Sequence, residues 1–351
     1  MLSSPLDPAV YDNVVTVVRT AAADIIGAQV NTACQLERGG NNVTLLVKTA
    51  RDSFVAKHYP IMPGDGWDRL FAESAGLRFL NAAGVSAVPL LVGSDAKTRV
   101  AVMTECGVPA DCVAKSDDIE ACVTFAKRLH EIRTLAGAES IPLAAEACLA
   151  ANDVVSQVVA RRQRLDEVSA SYPELARFLA DVFDPALSEY RQRSKAALCA
   201  AGISPDERLP RQWQTLSPSD FGLHNAVRGE DKCLTFVDFE YFGWDDPVRL
   251  VSDFLLHPGH QLDNDVKRQF IDGCCAIFSG DPNFLNRFRA LYGLIGLRWC
   301  MILLNQFLPE RMARRRAAGC DGQRASILTG QLRKADTLLT SLEKSKGVLI
   351  Y

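Results

Sequence analysis

Hydrophobic positions change their period once along this chain, and the change divides it. Val10, Val14, Val15, Val18, Ala21, Ala22, Ile25 and Ile26 recur three and four residues apart up to Gly27, which predicts an amphipathic helix over 9–27. Short apolar runs separated by polar turns follow. Cys34-Gln35-Leu36-Glu37 and Val43–Val47 flank Arg38-Gly39-Gly40-Asn41-Asn42, and Ser53–Lys57 comes after a turn at Lys48–Asp52. A helix is expected over Trp67–Ala83, with Trp67, Leu70, Phe71, Leu77 and Leu80 as its apolar stripe. Gly84–Pro89 breaks it before two further strands, Leu90–Gly93 and Val100–Thr104.

Beyond Asp117 the period becomes 3.6. Ile119–Ala136 carries Cys122, Phe125, Ala126, Leu129 and Ile132 on one face, and further helices are expected at 143–168, 172–201, 263–279, 282–307 and 323–345. Pro205 and Pro210 mark a linker into the one non-helical stretch of this half, residues 216–258, where Leu234–Val237 reads as a short strand. The pattern is α+β: an N-terminal helix (1–27), a small antiparallel-sheet lobe (28–107) and a mostly helical lobe (108–351). No internal repeat or low-complexity tract interrupts it.

Composition narrows the function classes. The 351 residues are 48% hydrophobic and 23% charged, as in ordinary globular chains, and long enough to bury a large core. A net charge of -3 gives no general attraction to nucleic acid or anionic membranes, so any phosphate binding must be local. The eleven cysteines are scattered with no Cys-x2-Cys pair. That argues against zinc and for reduced thiols in a cytoplasmic protein. Met1–Pro8 has no basic residue of the kind that opens a secretory signal. The apolar run Leu291–Leu304 contains Arg298 and falls short of the roughly 20 apolar residues of a bilayer span, so a buried helix is expected and no membrane span.

The chemistry concentrates in 216–258. Asp220 is followed five residues later by Asn225, and the strand Leu234–Val237 delivers Asp238 and Glu240 at its end. Phosphoryl transfer needs such a set: a carboxylate to orient a hydroxyl, and a carboxylate with an amide oxygen to hold Mg²⁺ against phosphates. Asp220 and Asn225 alone would suit a turn or helix cap. Asp238 and Glu240 at this spacing favour the chemistry.

At these residues the chain resembles the aminoglycoside phosphotransferase/choline kinase family of small-molecule kinases. The family pattern is His-Gly-Asp-x4-Asn, then Ile-Asp-Phe/Trp-Glu-Tyr-x-Gly, then Asp-Pro. Asp220 and Asn225, Val237–Gly243 and Asp246-Pro247 match in turn. Pro218 stands in place of the family's histidine. Leu250 stands where an acidic residue is usual, with Asp253 the nearest substitute. The resemblance implies a protein kinase-like two-lobe fold, ATP and Mg²⁺ as cofactors, and a small-molecule hydroxyl acceptor. Asp220 would be the base, and Asn225 and Asp238 would hold Mg²⁺ with Glu240 for a second ion.

The first lobe offers partners for the nucleotide. Gly39-Gly40-Asn41-Asn42 lets a backbone approach a phosphate, although an ordinary β-turn reads the same way. Phe54-Val55-Ala56-Lys57 is similar to the lysine-bearing strand of protein kinases. Paired with Glu73, Lys57 would lie over the phosphates; unpaired, each is a solvated end or helix face. By the resemblance Met103 backs the adenine pocket, and the Thr104 carbonyl and Cys106 amide bond adenine. His130 suits a structural role, and Arg161-Arg162-Gln163-Arg164 a solvated helix face. Arg311, Arg314, Arg315 and Arg316 form either an exposed helix end or a contact for an acceptor phosphate. The expected function is ATP-dependent phosphorylation of a small-molecule hydroxyl, with a nucleotide-binding pseudokinase as the alternative and the acceptor left open. A protein kinase proper is disfavoured, because no Ala-Pro-Glu segment follows Asp238.

Overall fold

The computed structural model describes residues 8–36, 42–61, 66–310 and 324–344. Gly39, Gly40, Asn41 and the Arg311–Arg316 cluster lie outside the described residues. The chain divides into two compact units. One is Met1–Ala145 with Thr215–Trp244 and Pro258–Phe270; the other is Glu146–Gln214 with Asp245–His257 and Ile271–Tyr351. The expected boundary at residue 107 thus falls inside the first unit.

In that unit a five-stranded antiparallel sheet runs in the order β1-β2-β3-β5-β4. Its strands are β1 (Thr32–Gln35), β2 (Val43–Lys48), β3 (Ser53–His58), β4 (Leu91–Asp95) and β5 (Val100–Thr104). Strand β2 alternates as its sequence does: Val43, Leu45 and Val47 turn inward onto Val18, Ala21 and Ala22 of helix α1 (Pro8–Ile26).

Helix α2 (Arg69–Ala82) starts two residues later than expected, because Asp68 caps it by accepting the Phe71 N–H at 3.0 Å. Trp67 therefore precedes the helix. Phe71 is 56% exposed and does not belong to the buried stripe, which Leu70, Glu73, Leu77 and Leu80 form at i, i+3, i+7 and i+10.

Helix α3 (Ser116–Ile132) buries Ile119, Cys122, Phe125, Ala126, Leu129 and Ile132, the face its sequence marked. Phe125 carries the segment that matters most. Its ring stacks on Phe236 at 4.4 Å and lies 5.7 Å from Phe221. Three short strands continue from there: β6 (Val108–Pro109), β8 (Ala226–Arg228) and β9 (Leu234–Phe236) pair in the order β6-β8-β9, while β7 (Thr215–Ser217) precedes the loop holding Asp220. Gly107, at φ 129°, has no alternative: a Cβ there would sit 2.1 Å from the Arg228 carbonyl oxygen. His130 is half-buried, and burial with the Arg133 guanidinium brings its imidazole down to about 4, so it is neutral at pH 7.

The second unit is helical. Helix α4 (Ala151–Ser169) begins eight residues after the expected 143, because Asp153 accepts the N–H groups of Leu149 and Ala150 at 2.9 and 3.0 Å and fixes the start. Helix α5 (Pro173–Arg177) passes through a π-turn into α6 (Asp184–Ala200). Then come α7 (Pro247–Leu256), α8 (Asn264–Ile277, across the division at 270/271), α9 (Phe284–Leu303) and α10 (Arg324–Lys344). Helix α7 was not expected from the sequence; all ten of its residues are buried, the polar Arg249, Ser252 and Asp253 among them. By length and composition Phe284–Phe307 could cross a membrane, but 78% of its apolar window is buried inside the protein.

Ion pairs of the buried Arg249 and Arg298 hold this unit. Arg249 meets Asp245 at 2.7 Å and Asp253 at 3.1 Å, and Trp299 donates its Nε1–H to Asp253 at 2.8 Å. Arg298 meets Glu146 at 2.9 Å and Gln157 at 2.8 Å. The expected solvated face at Arg161–Arg164 holds for Gln163 and for Arg164, which pairs with Glu310 at the surface, but is corrected for the half-buried Arg161 and Arg162: Arg161 binds Glu146 at 2.5 Å and Arg162 binds Asp184 at 2.8 Å. Their partners come from distant parts of the chain and leave no mark in the local pattern. Among the described cysteines none is in a disulfide; Cys122, Cys148, Cys274 and Cys300 are buried, and Cys34, Cys112, Cys199 and Cys233 are exposed.

This network sets a pH dependence. Burial pushes the Glu146 carboxyl up, but Arg161, Arg298 and Arg249 outweigh burial and hold it at about 2. The folded value is depressed, so the contribution is whole above the ordinary 4.5 and is lost as pH falls towards about 2. Glu146→Gln is expected to be the less stable protein at pH 7, with the gap closing between about pH 4.5 and 2. Asp245, pushed up to about 6 chiefly by burial, titrates with the opposite sign but is common to both proteins and cancels. Urea midpoints across this range test it; a gap that does not change with pH would remove Glu146 as the source.

Candidate active site

Every side chain of this site belongs to the first unit. Lys57 stands in β3 opposite Thr44 and Ala101, and the period of two carries its side chain to the same face as Tyr59. Its Nζ reaches Glu73 Oε2 at 2.7 Å and Asp238 Oδ1 at 2.5 Å. Glu73, wholly buried on α2, is a hub: the Tyr59 hydroxyl donates to the same Oε2 at 2.6 Å, and the Phe239 N–H donates to Oε1 at 3.3 Å. Strand, helix and the Asp238 segment are therefore tied through one carboxylate. Burial works to lower the Lys57 pKa, but Asp238 and Glu73 outweigh it and hold it well above the usual lysine range, so the ammonium stays charged. Burial and the adjoining Glu73 carboxylate push the Tyr59 phenol well up, and it remains a donor.

The spacing from Asn225 to Asp238 is explained by a hairpin. Ala226 pairs with Phe236, and one step further the Val237 N–H donates to the Asn225 carbonyl at 2.9 Å. The two residues thus end the two arms side by side. The Asn225 side-chain NH₂ is committed to the Asp220 carbonyl at 2.9 Å, which leaves its oxygen as the atom to offer a cation. Asp238 has φ 69°, the left-handed region where Asp and Asn are tolerated best. An amide oxygen and a partly exposed carboxylate, carried by Asn225 and by the residue after its backbone partner Val237, are hard oxygen donors of the kind that suits Mg²⁺. Glu240 is buried; its carboxylate accepts from the Asn42 side-chain amide, and its carbonyl accepts the Trp67 Nε1–H at 2.7 Å.

Asp220 follows Ser219, which turns the chain at φ 66°. Where the family pattern has a histidine this loop is braced by other means. The Ser219 N–H donates to Ser217 Oγ at 3.0 Å, and Phe221 packs on Phe236 with centroids 5.2 Å apart. The Asp220 side chain is 35% exposed, open to a hydroxyl, and its Oδ1 lies 3.0 Å from His224 Nε2.

Lys57, Glu73 and Asp238 are in direct contact, as are Asp220 with Asn225 and Glu240 with Asn42. Thr104 ends β5 and Cys106 lies two residues beyond it: the Thr104 carbonyl accepts from the Cys106 thiol at 3.5 Å, and burial pushes that thiol up. Tyr59, Trp67 and His224 escaped the sequence reading. Tyr59 had a signal, two residues beyond Lys57 on one strand face, whereas Trp67 and His224 act across turns that local pattern does not reveal.

No protein-family model matches this sequence, and no curated protein matches it. Solved structures do. The choline kinase LicA of Streptococcus pneumoniae is 12% identical, with a TM-score of 0.58 over 93% of this chain and 98% of that one. Spectinomycin phosphotransferase in complex with ADP and spectinomycin is 11% identical, with a TM-score of 0.58 and the same coverage. Plasmodium vivax ethanolamine kinase is 13% identical, with a TM-score of 0.55 over 89% and 82%. At these identities the likeness is one of fold: α+β and protein kinase-like, a small antiparallel sheet in the N-terminal part and a mostly helical C-terminal part. It agrees with the family resemblance drawn from the sequence.

Proposed function

We propose that this protein is a cytoplasmic ATP-dependent phosphotransferase of the aminoglycoside phosphotransferase/choline kinase kind, acting on a hydroxyl of a small molecule. The observation that carries this reading is the meeting of a buried, charged Lys57 with Glu73 and Asp238 at 2.7 and 2.5 Å. An ion pair of this type holds an ammonium ready for phosphate oxygens. The solved neighbours support the reading, since they include choline and ethanolamine kinases and a phosphotransferase with bound ADP.

The geometry supports the following roles. Lys57, held by Glu73 and Tyr59, steadies the phosphates. Asn42 contributes to the phosphate side through its contact with Glu240, with Gly39, Gly40 and Asn41 beside it in sequence. Thr104 and Cys106 offer backbone groups to adenine. Asp220 orients the acceptor hydroxyl and takes its proton as the oxygen bonds the γ-phosphorus and the bond to ADP breaks. Asn225 and Asp238 would hold Mg²⁺, with Glu240 for a second ion, and the metal supplies charge neutralisation at the phosphates. Positioning and electrostatic stabilisation then do most of the catalysis.

A screen of aminoglycosides, amino alcohols and sugars with γ-labelled ATP tests this. One acceptor class is expected to take the label. A protein that binds Mg·ATP yet transfers to no acceptor and to no water would be a nucleotide-binding pseudokinase.

A further inference from the structure

The pattern that places Asp220 also places a histidine against it. The short 3₁₀ turn Leu223–Asn225 folds the chain back, and four residues after Asp220 the ring of His224 meets its carboxylate, Nε2 to Oδ1 at 3.0 Å. The site is built to keep the ring there. Gly222 lies between two imidazoles: a Cβ on it would stand 2.7 Å from His260 Nδ1 and 2.8 Å from His224 Nδ1. The two rings are 5.9 Å apart at 52°, and His260 is buried. The Nδ1 edge of His224 is thus turned to Gly222 and His260, and the Nε2 edge to Asp220.

We infer that His224 is a positioning residue for Asp220: its Nε2–H donates to Oδ1 and holds the carboxylate in one rotamer, which fixes its direction towards the acceptor hydroxyl. The inference rests on the phosphotransfer reading above. An ionised carboxylate only accepts, so the proton of this hydrogen bond sits on Nε2. A charge-assisted bond of this kind is among the stronger ones in proteins, and it fixes the direction of the base. A base misdirected by a small angle loses much of its effect, because positioning contributes through geometry.

The test uses the full chain and Mg·ATP itself, reading phosphate released to water and, once the screen supplies one, transfer to an acceptor. His224→Leu is expected to lower kcat on the order of tenfold or more, as loss of a hydrogen bond to a charged group does, with the KM for ATP within about twofold. His224→Gln, whose terminal N–H reaches the same point, is expected to recover most of the loss. Added to Asp220→Asn, His224→Leu is expected to cost little more, because two residues acting as a unit are not additive. A separate reading needs no turnover: ¹⁵N NMR is expected to show His224 as the Nε2–H tautomer in wild type and as a mixture in Asp220→Ala. Wild-type kcat in His224→Leu, or losses that multiply, would overturn the inference and leave the phosphotransfer reading standing. A wild type that binds Mg·ATP but never turns it over would overturn that reading and the positioning role of His224 with it, whatever the tautomer.

Discussion

Asp238→Asn is expected to invert the metal dependence of nucleotide binding. Asn suits the left-handed backbone at φ 69° as Ala would not, so the fold should survive. Lys57 loses one carboxylate but keeps Glu73 at 2.7 Å, so the ammonium stays in place. What is lost is a negative charge beside the Asn225 amide, the donor set suited to Mg²⁺. Affinity for Mg·ATP is expected to fall about tenfold or more, and turnover by roughly 10²–10³, the scale of losing electrostatic stabilisation at a transferring phosphoryl group. ATP with EDTA present should bind as well as to wild type or better, because a carboxylate no longer repels bare phosphates. Calorimetry with and without Mg²⁺ reads both. Equal Mg·ATP affinities in two folded proteins would mean that Asp238 serves Lys57 alone.

How the site could be read from sequence follows from the range of each interaction. Lys57 was legible because it ends the apolar run Phe54-Val55-Ala56, and Glu73 because it falls on the buried line Leu70, Leu77, Leu80 of one helix. Asn225 and Asp238 stood out by their spacing about the short strand 234–237, and the hairpin sets Asn225 against Val237, the residue before Asp238. Contacts between distant segments were not legible. Asn42 meets Glu240 across 198 positions and Arg298 meets Glu146 across 152, and neither leaves a periodic trace. Asp253 was noted as a substitute for a missing acid, yet its carboxylate is taken by Arg249 and Trp299 in the second unit. Local pattern also misjudged Phe71, since hydrophobicity alone does not say which side of α2 faces the sheet.

The decisive substitution for catalysis is Asp220→Asn. It keeps the size of the side chain and one acceptor oxygen, so His224 at 3.0 Å retains a partner and the packing of Phe221 on Phe125 and Phe236 is untouched. It removes the proton acceptor and the charge that orients the hydroxyl. General-base and positioning contributions are each worth on the order of 10²-fold or more, so turnover is expected to fall at least that far. Affinity for Mg·ATP should stay within a few-fold: Asn225 and Asp238 are unchanged, and Asn225 still donates to the residue 220 carbonyl, a backbone atom. This split separates Asp220 from Asp238, whose loss is expected to weaken binding and rate together. Transfer to water serves as the assay if no acceptor is in hand. Equal rates for wild type and Asp220→Asn, with wild type active, would make Asp220 a loop residue and require another base for the hydroxyl.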